Sequence, residues 1–282
     1  MSISDIEGVF SSGIHCGIKS DGAFDLGYIY VPECVGSAIV QSQNVIRSVT
    51  LDHNEQVFKN GPVELMVINS GNANSVTGSI GERHVLKTVE AAASIFNCTH
   101  DHIGVASTGI IGVPLPIERL LNGLTSFDGS EKNGDDCARA ILTTDLVKKT
   151  ASITVQIQGE DVNIQGITKG SGMIEPNMAT TLGFIVTDLS LSCEQCQLML
   201  KTAIDQSYNM LSVDTDQSTN DLVSLQSSGA VNIELSDDDL ETFQQALTTL
   251  CIDLAQQIAR DGEGATHFIE VNVAGAQSKK DA

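Results

Sequence analysis

The chain is expected to fold as a layered α/β sandwich. Two observations point there. Stretches with apolar residues at helical spacing alternate along the chain with stretches that are apolar at every second position. Several of the strand-like runs have only one apolar face, which fits sheets stacked in layers rather than an all-parallel, doubly wound sheet. No Pro/Ser-rich linker, charge run or internal repeat divides the 282 residues, a length that suits one large domain or two modest ones.

Composition narrows the function classes. Hydrophobic residues make up 41% of the chain, as is ordinary for a soluble globular protein. Fifteen basic against 36 acidic residues give a formal charge of −21, which argues against a nucleic-acid or anionic-membrane partner held by simple electrostatics. No apolar run approaches the ~20 residues of a membrane span. The start, Met1 to Glu7, has no basic region followed by an apolar one, so a cytoplasmic protein is expected. Seven cysteines, odd in number and scattered, suit reduced thiols better than a disulfide framework.

Taken in order, residues 13–26 are glycine-punctuated and short-stranded. Residues 64–68 form a buried-strand pattern that runs into the loop Asn69-Ser70-Gly71-Asn72-Ala73-Asn74. That loop reads either as a turn whose amides bond the backbone or as part of a site. Residues 82–97 place Val85, Val89, Ala92, Ala93 and Phe96 on one helical face. The following Cys98-Thr99-His100-Asp101-His102 reads as a solvated connection rather than a metal site.

Residues 103–112 are a strand breaking into a hydroxyl-glycine turn at Ser107-Thr108-Gly109. Such a turn can aim a backbone N–H and a hydroxyl at a developing negative charge. Residues 134–142 form a short helix, Thr143-Thr144-Asp145 a turn, and 152–158 a half-buried strand that returns through a hairpin at Gly159-Glu160-Asp161. Ser192 and Gln195 make a capping box for a helix whose inward face is Cys196, Leu200, Ala203 and Ile204. Cys193 and Cys196 have zinc-motif spacing but no second pair.

The acidic run from Asp214 to Asp221 fails as an EF-hand, with Thr219 at the glycine position and Leu225 at the twelfth. Ser236 caps a long helix with the stripe Leu240, Phe243, Leu247, Leu250, Leu254 and Ile258. Arg260-Asp261-Gly262-Glu263-Gly264 ends it, and 268–273 alternate as a final strand.

Chemistry concentrates in Thr168-Lys169-Gly170-Ser171-Gly172-Met173-Ile174-Glu175-Pro176-Asn177-Met178-Ala179-Thr180-Thr181. Its hydroxyls are weak nucleophiles that need a base and an oxyanion site. Lys169 ordinarily stays protonated, Glu175 sits before a proline turn, and the stretch has no histidine. A threonine can use its own α-amine, which titrates near pH ~8, if the chain is cut just before it. Small Ala179 leaves room for the Thr180 hydroxyl to attack the preceding carbonyl, turning the Ala179–Thr180 amide into a hydrolysable ester. The competing reading is a glycine turn feeding the buried strand 182–186.

Lys169-Gly170-Ser171-Gly172-Met173-Ile174 followed by Pro176-Asn177-Met178-Ala179-Thr180 resembles the cleavage and nucleophile signature of the glutamate N-acetyltransferase (ornithine acetyltransferase) family of arginine biosynthesis. Gly17-Ile18-Lys19, the 69–74 loop, Thr108-Gly109, Thr143-Thr144-Asp145, the acidic run and Asp261-Gly262-Glu263-Gly264 extend the likeness from about residue 8 to the end. The resemblance implies the layered α/β sandwich of that family, split by self-cleavage into portions 1–179 and 180–282 that stay associated, as a heterotetramer of two of each.

It further implies acetyl transfer from N-acetylornithine to glutamate through an acetyl-Thr180 intermediate. Thr108 and Gly109 would form the oxyanion hole, Lys169 would bind the substrate carboxylate, and Glu263 would bind the substrate amine or assist proton transfer. No metal or cofactor is expected, although some members accept acetyl-CoA as a co-substrate. A self-cleaving amidase or aminopeptidase and a non-catalytic remnant are the competing readings. Glu175 and Thr181 stand where a small residue and a methionine are expected. Thr215 and Gln217 depart from the family's Asp-Gly-Asp-Thr-Ser-Thr-Asn-Asp, and Thr215 in a glycine position would strain the turn. Family members run on for a substantial stretch carrying an Asn and a Thr that close over the substrate, so a C-terminally truncated member is expected.

Overall fold

The computed structural model describes residues 2–175 and 181–278. In chain order its first half comprises β1 (Phe10–Ile14), β2 (Leu26–Tyr30), β3 (Gly36–Gln41), α1 (Val49–Asn60), β4 (Leu65–Asn72), α2 (Gly78–Phe96), β5 (Ile103–Ile110), α3 (Ile117–Leu124) and α4 (Gly134–Ala140). There follow β6 (Lys149–Ile157), β7 (Glu160–Lys169), β8 (Leu182–Leu189), α5 (Cys193–Asp205), β9 (Leu222–Val231) and α6 (Asp237–Arg260).

One sheet runs β1-β2-β4-β5 and the other β3-β9-β8-β7-β6. Each is antiparallel except for one parallel pair, β4 with β5 and β8 with β9. The inner faces of the two sheets meet in a shared core in which Ile29, Met66, Ile68 and Ala106 join Ile167, Phe184, Val186 and Leu222. Outside the first sheet lie α2 and α3, through Val85, Val89, Phe96, Leu120 and Leu124. Outside the second lie α5 and α6, through Leu200, Ile204, Phe243, Leu247 and Leu254. The layers are therefore helices, sheet, sheet, helices, which is the expected sandwich.

Local chemistry explains the best-defined elements. Ser192 and Ser236 accept from the N3 amides of α5 and α6, and Gln195 and Asp239 answer as capping boxes. The α6 stripe Phe243, Leu247, Leu250, Leu254 and Ile258 is fully buried, each side chain contributing ~2 kcal/mol. Central β8 is buried along its whole length, whereas edge strand β6 alternates between faces.

The strand expected at 268–273 is absent. Those residues are unpaired coil, with Ile269 and Val271 nearly four-fifths exposed. Alternation makes a strand only where a neighbouring strand pairs with it, and among the described residues this segment joins neither sheet. Instead Phe268 stacks under the Arg260 guanidinium at 4.9 Å. β4 also runs further than expected, to Asn72, so it carries the amide-rich turn as its own end.

Candidate functional site

A cleft of about 810 Å³ opens where the ends of β4, β5 and β7 meet several connecting segments. Thr108, Gly109, Lys169 and Glu263 all line it, so four residues singled out in the sequence share one space. Ala179 and Thr180, the expected cleavage site, lie outside the described residues. Their neighbour Thr181 is described: its Oγ1 donates to the Lys169 carbonyl at 2.7 Å. The hydroxyl in place of methionine is thus absorbed by a backbone bond.

The first wall is the parallel pair β4 and β5. Gly71 opposes Gly109 across a local bulge, at φ +92° and +129°. A Cβ on Gly109 would stand 2.4 Å from the Gly71 carbonyl carbon, so only glycine lets the strand ends approach this closely. The amide-rich loop is bonded as the turn reading expects. Asn69 Nδ2 donates to Asn72 O at 2.8 Å, Asn72 Nδ2 to Val113 O at 3.0 Å and Asn74 Nδ2 to Gly81 O at 3.2 Å. These amides hold the turn, while Gly71 and Ala73 face the cleft.

The acidic run forms a second wall and contributes two groups the residue pattern did not reveal. Asp214 accepts from the amides of Met173 and Ile174 at 2.6 and 2.7 Å, pinning the segment just before the undescribed residues. Asn220 Nδ2 donates to Ala73 O at 2.6 Å and Ser107 O at 2.8 Å, tying one sheet to the other beside the cleft. Thr215 sits at φ +65°, the left-handed region expected of the glycine it replaces.

Lys169, the last residue of β7, is 5% exposed and donates from Nζ to Thr143 Oγ1 at 3.1 Å. Burial pulls its pKa below the ordinary lysine range, opposed first by the charge of Asp145 and then by that of Asp221, while Lys149 adds to the lowering. A second cation, Lys19, lines the same cleft and donates to Phe24 O and Leu142 O at 2.7 Å each. Glu263 is exposed and lies against Gly172, where a Cβ would meet its Oε2 at 2.4 Å. Its amide donates to Ser171 O at 2.8 Å, and the Ser171 hydroxyl donates to Asp261 O at 2.8 Å. Two cations and several carboxylates facing one space suit a ligand that carries both an acid and an amine.

Elsewhere the sequence candidates resolve into structure. His102 Nδ1 lies 2.6 Å from Glu64 Oε1, and Cys196 packs in the α5 core. Among the described residues no group of three or more His, Cys, Asp or Glu side chains is arranged to hold a metal, and no helix is long and apolar enough to cross a membrane.

The sequence pattern of the ArgJ family matches residues 10–282. The chain belongs to the ArgJ family. A curated relative from Oceanobacillus iheyensis, the arginine biosynthesis bifunctional protein ArgJ, is 39% identical over 290 residues, covering 99% of this chain and 70% of the relative. The crystal structure of the ArgJ protein from Bacillus halodurans is similar at TM-score 0.60 and 31% identity, covering 64% of this chain and 95% of that one. Ornithine acetyltransferase from Mycobacterium tuberculosis, solved in complex with ornithine, is similar at TM-score 0.57 and 29% identity, covering 62% of this chain and 95% of that one. The layered sandwich is thus the ArgJ fold.

Proposed function

We propose that this ArgJ-family chain is a self-cleaving, cytoplasmic acyltransferase that moves the acetyl group of N-acetylornithine to glutamate in arginine biosynthesis. The observation that carries this reading is the convergence of Thr108, Gly109, Lys169 and Glu263 on one cleft, against a backbone turn held by Thr181. The ornithine bound to the Mycobacterium tuberculosis relative supports the substrate class.

Cleavage before Thr180 frees an α-amine that takes the hydroxyl proton as the oxygen attacks the acetyl carbonyl. The Thr108 hydroxyl and the Gly109 backbone stabilise the resulting oxyanion. Ornithine leaves with the proton, and the acetyl group remains as an ester on Thr180. The amine of glutamate then attacks that ester, N-acetylglutamate departs, and the hydroxyl is restored. Lys169 binds the α-carboxylate of either substrate and Glu263 the amino end. Acetyl-CoA, which some family members accept, would form the same ester, and the two portions assemble as a heterotetramer.

Intact mass of the wild type beside Thr180→Ala tests the reading. Wild type is expected as associated pieces of 179 and 103 residues, the larger ending at Ala179, and the variant as one chain. Incubation with N-acetylornithine should then add one acetyl group to the smaller piece. An uncut, unacetylated wild type would overturn the proposal, and hydrolysis of acetylornithine without transfer to glutamate would replace it with an amidase.

A further inference from the structure

Beneath the cleft lies a buried ionic group that the proposed chemistry does not use. Lys149 is fully buried, and its Nζ donates to Asp145 Oδ1 at 2.7 Å, Asp261 Oδ2 at 2.6 Å and Val147 O at 3.3 Å. Asp145, whose side chain is itself fully buried, also accepts from the Gly170 amide at 2.7 Å and the Thr143 amide at 3.0 Å. Its Oδ2 lies 3.5 Å from Thr143 Oγ1, the atom that accepts from Lys169 at 3.1 Å.

We propose that Asp145 is a positioning residue for Lys169: a buried counter-charge, fixed by Lys149 and reaching Lys169 through the Thr143 hydroxyl, that keeps the lysine protonated and at the cleft. The inference rests on the reading of Lys169 as the carboxylate anchor. Charge counting supports it. Two buried carboxylates, Asp145 and Asp261, share one ammonium, Lys149, whose three protons are all engaged. The group carries one surplus negative charge unless Lys169 is protonated, and uncompensated buried charge is costly.

Asp221 also favours the charged form of Lys169, and the neighbouring Lys19, which opposes it, is itself set against Asp25 and Asp21. Geometry agrees. The bonds from Asp145 to Gly170 N and Thr143 N fix the turns on either side of the Lys169 ammonium. Without the Asp145 charge only Asp221 would oppose the burial that favours neutral Lys169, a form that cannot hold a carboxylate.

The test is a titration of Lys169 followed by NMR in protein labelled with 13C at lysine Cε, the Lys169 signal being identified by its loss in Lys169→Arg. In Asp145→Asn the midpoint is expected to fall by about one pH unit or more, and Asp145→Glu should restore part of the shift. An unmoved midpoint in Asp145→Asn overturns the inference. If that variant does not fold, Thr143→Val removes the connecting hydroxyl; a lowered midpoint supports the inference and an unchanged one overturns it. In the transfer assay Asp145→Asn should raise KM for N-acetylornithine more than it lowers kcat, with the increase shrinking as pH is lowered. A merely structural loss would not recover with pH. Wild type that transfers no acetyl group would refute the transferase reading alone, and the titration would still decide the role of Asp145.

Discussion

Replacing Gly109 by alanine tests how the proposed oxyanion turn is built. The new Cβ would lie 2.4 Å from Gly71 C, 2.6 Å from Asn72 N and 2.8 Å from Gly71 Cα, all backbone atoms of the neighbouring strand. No rotamer relieves such a clash, so β4 and β5 must part by roughly 0.6–1 Å at their ends to restore an ordinary contact. That stretches a neighbouring ladder bond out of range, costing about 1 kcal/mol for each bond lost. The backbone at φ +129° costs an L-residue a further 1–3 kcal/mol or so. The expected loss is about 3 kcal/mol, within the ~5–15 kcal/mol of a typical domain, so the variant stays folded. Urea unfolding with an unchanged slope measures it, and transfer by the folded variant should fall by about 10²-fold in kcat as the oxyanion donors shift. An alanine variant within ~1 kcal/mol of wild type and equally active would refute both the packing argument and the assignment of Gly109.

Thr215→Gly removes a β-branched residue from φ +65°; relief of about 1–2 kcal/mol less the ~0.5–1 kcal/mol entropic cost of glycine leaves a net gain of up to ~1.5 kcal/mol, seen as a rise of up to about 3 °C in Tm. Ser236→Ala removes the hydroxyl that accepts from Asp239 N at 3.3 Å and is expected to cost ~1 kcal/mol in denaturant unfolding, with the cleft and transfer activity untouched. The pH profile of kcat/KM should be bell-shaped. Activity rises as the Thr180 amine loses its proton near pH ~8 and falls at higher pH as Lys169 loses its own, burial having brought that loss below the ordinary lysine range. Lys169→Arg, which stays charged, should remove the falling limb; a falling limb that persists would assign it to another group.

Much of the fold was legible because it rests on local pattern. The α6 stripe and the serines at Ser192 and Ser236 state both the helices and their starts. β9 was not legible, because Ser224, Gln226 and Ser227 are buried at 1% exposure or less in the middle of a sheet. Their burial is tolerated through bonds between distant segments, such as Gln226 Nε2 to Val63 O at 2.9 Å, which no local pattern announces. The strand expected at 268–273 erred the other way, since its alternation was real and no strand pairs with it among the described residues. At the site, Thr108-Gly109 and Glu263 alone read as turns, and family resemblance gave them meaning. Lys149 and Asp261 lie 112 residues apart, so their pairing was beyond any local reading.

The overall charge of −21 gives the cleft its electrostatic problem. A diffuse negative field opposes the approach of a dicarboxylate such as glutamate, and surface charges beyond about 8–10 Å are largely screened at physiological salt. Capture then depends on cations at the site itself. Lys19 and Lys169 line the cleft, and burial disfavours the charge of both. A buried anion is screened far less than a surface one, so Asp145 can sustain the charge of Lys169 in a way that no exposed carboxylate could. Placing that anion below the cleft rather than in it leaves the ammonium facing the ligand. A carboxylate bonded to that ammonium from within the cleft would instead compete with the substrate for the same protons. The buried pair with Lys149 therefore matters less as a contribution to stability than as a way to hold a negative charge where it supports binding without blocking it.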